Sequence, residues 1–147
     1  MVRLLVSALV TLALLVAAVP ALGAAASDAT IDVHQTFDQP EGTFTADSDV
    51  LCANGTTSDV VRLTGNGSVI NIRDIKTFTC ADGSGTFTLK IQAQVRPCET
   101  TDQGAWTVIG GTGDYERLRG AGTLVGTYFP NDACDAEGID DHVVTPA

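Results

Sequence analysis

Two histidines, His34 and His142, are the only side chains here whose ordinary pKa lets them trade a proton near neutrality. His142 follows Asp140 and Asp141, which are of a type that orients an imidazole, and Ser84 is a conceivable nucleophile for such a base. No GxSxG elbow surrounds that serine, and the "DGSG" around it is a turn sequence. The simpler reading is two surface histidines and a turn serine, so no catalytic residue is assigned. Carboxylates also gather at Asp132, Asp135, Glu137, Asp140 and Asp141. Calcium accepts such oxygens, but the spacing matches no EF-hand loop. This run, like Asp47 and Asp49, reads as solvated acidic loop, and no metal is assigned.

The third candidate for chemistry is the glycine-rich stretch "GGTGDYERLRGAG", Gly110 to Gly122. A dinucleotide-binding turn needs GxGxxG between a strand and a helix. Counted from Gly111, the third glycine position holds Glu116, a carboxylate where a pyrophosphate would approach. No GxxxxGK[ST] occurs, and "DYERLR" is too short for a helix that would hold phosphate at its N-terminus. The stretch therefore reads as architecture, and no cofactor is expected. Gly110, Gly111 and Gly113 reach backbone angles closed to other residues. Tyr115 and Leu118, three apart, can point the same way and close one end of a barrel.

The elements that would position any of these residues are strands. Gly85 to Val95, "GTFTLKIQAQV", sets Phe87, Leu89, Ile91, Ala93 and Val95 in strict alternation with polar residues. Period-two alternation means one dry face and one wet face. Further strands are expected over Ile31–Phe37, Gly42–Ala46, Asp59–Thr64, Val69–Phe78, Ala105–Ile109, Gly122–Phe129 and Ile139–Val144. The alternation slips at Arg73–Asp74, where a bulge is expected. "NGTT" (Asn54 to Thr57), "GNGS" (Gly65 to Ser68) and "DGSG" (Asp82 to Gly85) read as turns. The two formal glycosylation sequons, at Asn54 and Asn66, are read the same way. Eight short strands without a long helical pattern predict one all-β domain, a single antiparallel eight-stranded barrel.

The N-terminus is of another kind. Arg3 precedes an apolar run from Leu4 to Val19, then Pro20 and the small residues "ALGAAAS". This is the pattern of a cleaved signal peptide over 1–26, with the β-barrel domain over 27–147. A spanning helix needs roughly 20 apolar residues, and the run falls short. The expected protein is secreted, with no membrane attachment after cleavage. About 120 residues then remain, enough for one domain with its own core. The formal charge of −10 offers no basic stripe for phosphates, which argues against a nucleic-acid partner.

Cys52, Cys80, Cys98 and Cys134 all lie in the exported part, without a CxxC. An even count in an oxidising compartment favours two disulfides. Of three possible pairings, Cys52–Cys80 with Cys98–Cys134 is preferred, because the first two flank successive predicted strands.

"WTVIGGTGDYERLRGAGTLVG", Trp106 to Gly126, resembles the signature of the allene oxide cyclase-like and dirigent-like barrels. There a strand runs into GGTG, an aromatic, a small or aliphatic residue and a glycine entering another strand. Gly110, Gly111, Thr112 and Gly113 match the GGTG, Tyr115 the aromatic, Leu118 the aliphatic, and Gly120 and Gly122 the exit. "FTCADGSGTFTL", Phe78 to Leu89, is similar to small secreted bacterial members, which pair such a cysteine with one from an earlier strand. The resemblance implies an eight-stranded barrel around an apolar cavity. In relatives that cavity orients a reactive intermediate by confinement. The motif carries no catalytic residue over to this chain.

The ligand-binding candidates are the dry-face residues Phe87, Leu89, Ile91, Trp106 and Val108, with Tyr128. They line a cavity if the barrel has one and fill a core if it does not. The leading expectation is a barrel that binds a small apolar or aromatic molecule. The alternatives are a dirigent- or cyclase-like enzyme, with Arg73, Lys90 or Tyr128 as its interior polar groups, and a solid interaction protein. A homo-oligomer is compatible with each.

Overall fold

The structure, a computed structural model, describes residues 28–65 and 67–145. The expected leader and Asn66 lie outside them. Eight strands follow in order: β1 (Thr30–Thr36), β2 (Gly42–Asp47), β3 (Asn54–Gly65), β4 (Ile70–Cys80), β5 (Gly85–Val95), β6 (Thr101–Gly113), β7 (Ala121–Phe129) and β8 (Gly138–Val144). Each pairs antiparallel with the next, and β8 returns to β1 through seven registered pairs from Thr30↔Val144 to Thr36↔Gly138. The result is a closed barrel, in which β2 covers only Asn54–Thr57 of β3, so that the rest of β3 to Gly65 pairs on its β4 side.

Alternation decides which side chains enter the barrel. In β5, Phe87, Leu89, Ile91, Ala93 and Val95 are buried while Lys90, Gln92 and Gln94 face water. β4 holds a continuous inward row as well: Ile70, Ile72, Asp74, Lys76, Phe78 and Cys80. The bulge expected at Arg73–Asp74 is absent. The β4 register runs unbroken against β3 and β5, and the apparent slip arises because Asp74 and Lys76 occupy inward positions. The bulge lies instead between Thr88 and Leu89, where β5 meets β6. "NGTT" is likewise not a turn but the start of β3. Gly55 is needed there for close approach, since a Cβ would run into the Thr79 carbonyl and the Phe44 ring.

One end of the barrel is packed solid. Phe78 and Phe87 stack with ring centroids 4.6 Å apart, and Phe44 meets both edge-on. Tyr115 closes this end against Phe87, and its hydroxyl lies 3.0 Å from Ser84 Oγ. The GGTG residues extend β6 and pair in the ladder with Gly85 to Thr88. Gly113 has φ of +60°, and a Cβ on Gly111 would meet the Tyr115 carbonyl. The Cys52–Cys80 disulfide seals the same end. Cys98–Cys134 joins the β5–β6 and β7–β8 connections at the other. Both bridges match the preferred pairing and fit an oxidising compartment.

Candidate functional site

The second half of the barrel is not filled. A cavity of about 490 Å³ opens at the end that carries the β1–β2, β5–β6 and β7–β8 connections. Val61 and Leu63 of β3, Ile70 and Ile72 of β4, Ala93 and Val95 of β5 form much of its wall. Leu124 and Ile139 continue it across β7 and β8. Phe37 and Leu63 are 56% and 63% exposed, so the mouth is rimmed by apolar side chains open to water. Such residues serve no packing purpose inside the fold.

The floor is charged. Lys76 is 1% exposed, and its Nζ lies 2.9 Å from Asp59 Oδ2, 3.3 Å from Asp141 Oδ2 and 3.8 Å from Asp74 Oδ2. Three donors thus face three carboxylates drawn from β3, β4 and β8, each on an inward position of its strand. Burial works against the ammonium, but Asp141, Asp59 and Asp74 together outweigh it and hold Lys76 above the usual lysine range. Burial, reinforced by the charge of Asp59 and opposed by Lys76, pushes Asp74 up to about 7. Burial also raises Asp141.

A fourth carboxylate stands beside them. Asp102 of β6 accepts hydrogen bonds from the Tyr128 hydroxyl at 3.0 Å and from the Gly126 N–H at 3.2 Å. Burial lifts its pKa, and burial with the neighbouring Asp102 charge lifts that of the Tyr128 phenol. Gly126 makes this crowding possible, because a Cβ there would lie 2.7 Å from Asp102 Oδ1 and 2.9 Å from Asp141 Oδ1. Among the described residues, buried oxygens without a hydrogen-bond partner include Asp59 Oδ1, Asp74 Oδ1 and Gln35 Oε1, all on residues lining the cavity.

The sequence-derived candidates divide between the two halves. Ile91 and Tyr128 line the cavity. Phe87, Leu89 and Trp106 are buried in the core, and Val108 packs against it half-buried. Trp106 donates its indole N–H to the carbonyls of Thr123 and Val144, both at 3.1 Å. Arg73 and Lys90, considered as interior groups, point outward instead, because each is out of phase with the inward row of its strand. The interior charges of β4 are Asp74 and Lys76, whose signal in the sequence was the slip in alternation itself.

The histidines stand on the outer face of the β1–β8 seam. His34 Nδ1 lies 2.6 Å from Asp140 Oδ1, and His142 Nδ1 lies 2.6 Å from Asp32 Oδ1. Both pairs are rungs of the ladder, Asp32↔His142 and His34↔Asp140, and all four side chains are more than half exposed. Ser84 is engaged with Asp82 and Tyr115 at the packed end. The acidic run is divided as well, since Asp141 turns inward while Asp140 pairs with His34 outside. Asp132 lies close to Cys98 and Cys134, but those sulfurs are joined to each other.

Comparison with family models, with curated proteins and with solved structures finds no match to this chain.

Proposed function

We propose that the chain is an exported barrel that binds a small apolar or aromatic molecule in its open half. The observation that carries this reading is the cavity: about 490 Å³, walled by aliphatic side chains, with a compact set of polar groups at its floor. Small-molecule sites span roughly 300–1,000 Å³ and combine apolar walls with a few placed polar groups. Small barrels commonly fill their interiors with side chains, so a barrel packed at one end and hollow at the other supports this reading. The leader-like N-terminus and the two disulfides support export. The similarity of Trp106 to Gly126 to the allene oxide cyclase-like and dirigent-like signature points the same way.

Titration with the neutral fluorophore N-phenyl-1-naphthylamine tests it. Emission should rise to a 1:1 endpoint, the thermal midpoint should climb, and Leu63→Trp at the mouth should suppress both. No emission change and no thermal shift with the wild-type chain would sink the reading.

The polar floor favours a second reading, a dirigent- or cyclase-like enzyme that steers a reactive intermediate. Asp74, with a pKa near neutrality, and Tyr128, bonded to Asp102, are groups that can hold a proton beside a confined molecule. An achiral reactive precursor should then give an unequal mixture of mirror-image products in the presence of the protein. A racemic product counts against it. A solid barrel acting only through its surface is the reading the cavity disfavours.

A further inference from the structure

Charge and hydrogen-bond accounting at the cavity floor says more about the guest. Four carboxylates, Asp59, Asp74, Asp102 and Asp141, share one cation, Lys76. The ammonium of Lys76 donates to Asp59 Oδ2 at 2.9 Å and has Asp141 and Asp74 oxygens at 3.3 and 3.8 Å, so it is already ringed by anions. Asp102 is already served by Tyr128 and Gly126. What remains unanswered is a set of acceptors: Asp59 Oδ1, Asp74 Oδ1 and Gln35 Oε1, buried and without a donor. Asp74 is only 6% exposed, and its residue lines the cavity. Unpaired buried acceptors are costly, and a second positive charge near this excess of carboxylate relieves both deficits at once.

Resting on the reading of the barrel as a small-molecule binder, we infer that the ligand is a cationic amphiphile. Its protonated amine seats against Asp74 and Asp59, and its apolar body lies along the aliphatic wall. A primary ammonium brings up to three N–H donors and one positive charge, the complement of what the floor lacks. A carboxylate-bearing ligand meets net negative charge there and is rejected. An alcohol supplies one donor and no charge, and binds more weakly. Binding of the cation favours the ionised form of Asp74, so it releases a proton wherever that carboxyl is protonated beforehand. The groups facing Asp74 are Asp59 from β3, Lys76 on its own strand and Asp141 from β8; Asp102 and Tyr128 complete the charged lining from β6 and β7. From β5 the lining adds only apolar residues, Ile91, Ala93 and Val95.

One aromatic body with four head groups provides the test: 1-naphthylmethylamine, 1-naphthylmethanol, 1-methylnaphthalene and 1-naphthoate, titrated by calorimetry and naphthalene fluorescence. The amine should bind at least about tenfold more tightly than the alcohol at pH 8, a difference of about 1.4 kcal/mol. Naphthoate should bind weakest. Amine affinity should increase from pH 6 to pH 8 while that of 1-methylnaphthalene stays level. Asp74→Asn should reduce amine affinity about tenfold and leave the hydrocarbon unchanged. Should that variant not fold, the pH series on the wild-type chain decides alone. Equal binding of amine and hydrocarbon overturns the cationic head group and leaves the cavity reading intact. No binding by any of the four overturns both.

Discussion

Lys76 and Asp59 stand opposite each other in the β3–β4 ladder, and the lysine Nζ meets the aspartate Oδ2 at 2.9 Å inside the barrel. A register pair on an inward face fixes that contact through the backbone, so the ion pair is a property of the sheet rather than of two flexible surface chains. Asp141 and Asp74 then complete the surroundings of the same ammonium.

Lys76→Met keeps much of the side-chain volume but strands these carboxylates. Breaking one partner of a buried ionic group costs about 3–5 kcal/mol. The loss, measured by urea unfolding, should be larger at pH 8 than at pH 5. Burial raises the pKa of Asp74 and Asp141, so protonation relieves the stranded charge at the lower pH. An equal loss at both values contradicts the assignment.

Asp74 gives the wild-type chain its own pH signature. Its carboxyl is held near 7 in the folded state, against 3.8 ordinarily. Between those values the folded chain retains a proton that the unfolded chain has released. Stability therefore falls as pH rises through that window. Asp102 and Asp141, also raised by burial, act in the same direction. The thermal midpoint should drop by at least about 5 °C from pH 4.5 to pH 7.5, and Asp74→Asn should flatten the slope. A midpoint that climbs across this range is the contrary result.

Gly126→Ala tests how tightly the floor is built. The added methyl lies within 3 Å of oxygens on both Asp102 and Asp141 and also meets the Ile139 side chain. It should cost about 1–3 kcal/mol as an overpacking change and displace Asp102 from the Tyr128 hydroxyl. Unfolding free energy together with the Tyr128 absorbance shift on alkaline titration reads both effects. An unaltered phenol titration says the carboxylate has not moved.

The two disulfides should separate by function. Cys98–Cys134 ties down the connection that carries Ala133 at the cavity mouth, and Ala133 N–H also bonds the Glu99 carbonyl at 2.9 Å. Replacing either pair by serine should cost about 3–4 kcal/mol in the chain-entropy account. Only the Cys98/Cys134 replacement should weaken N-phenyl-1-naphthylamine binding, by several-fold. Matching affinity losses from both replacements would show that the mouth has no special share in binding.

Much of the barrel is visible in the residues themselves. Strict alternation marks β5, the "DGSG" turn marks the β4–β5 connection, and the strand-flanking cysteines pair as their positions suggest. The charged floor is harder to see for a physical reason. Pattern reading assigns charges to the wet face, so Asp74 and Lys76 looked like a break in phase when they continue the row from Ile72 to Phe78. Asp59 faces Lys76 from the neighbouring strand β3, but Asp102 and Asp141 come from β6 and β8, and nothing local links them to β4. Trp106 and Phe87 looked like cavity wall for a related reason. Alternation tells inside from outside, but not which end of the tube is full.

The β1–β8 seam sets a condition on biogenesis. Asp141 arrives on the last strand, and that strand mates with the first across more than a hundred residues of sequence. A chain still emerging has neither a shut tube nor Asp141 beside Lys76, and such distant pairings are slow to form. Closure of the tube thus comes late and all at once, when the β7–β8 hairpin docks against β1.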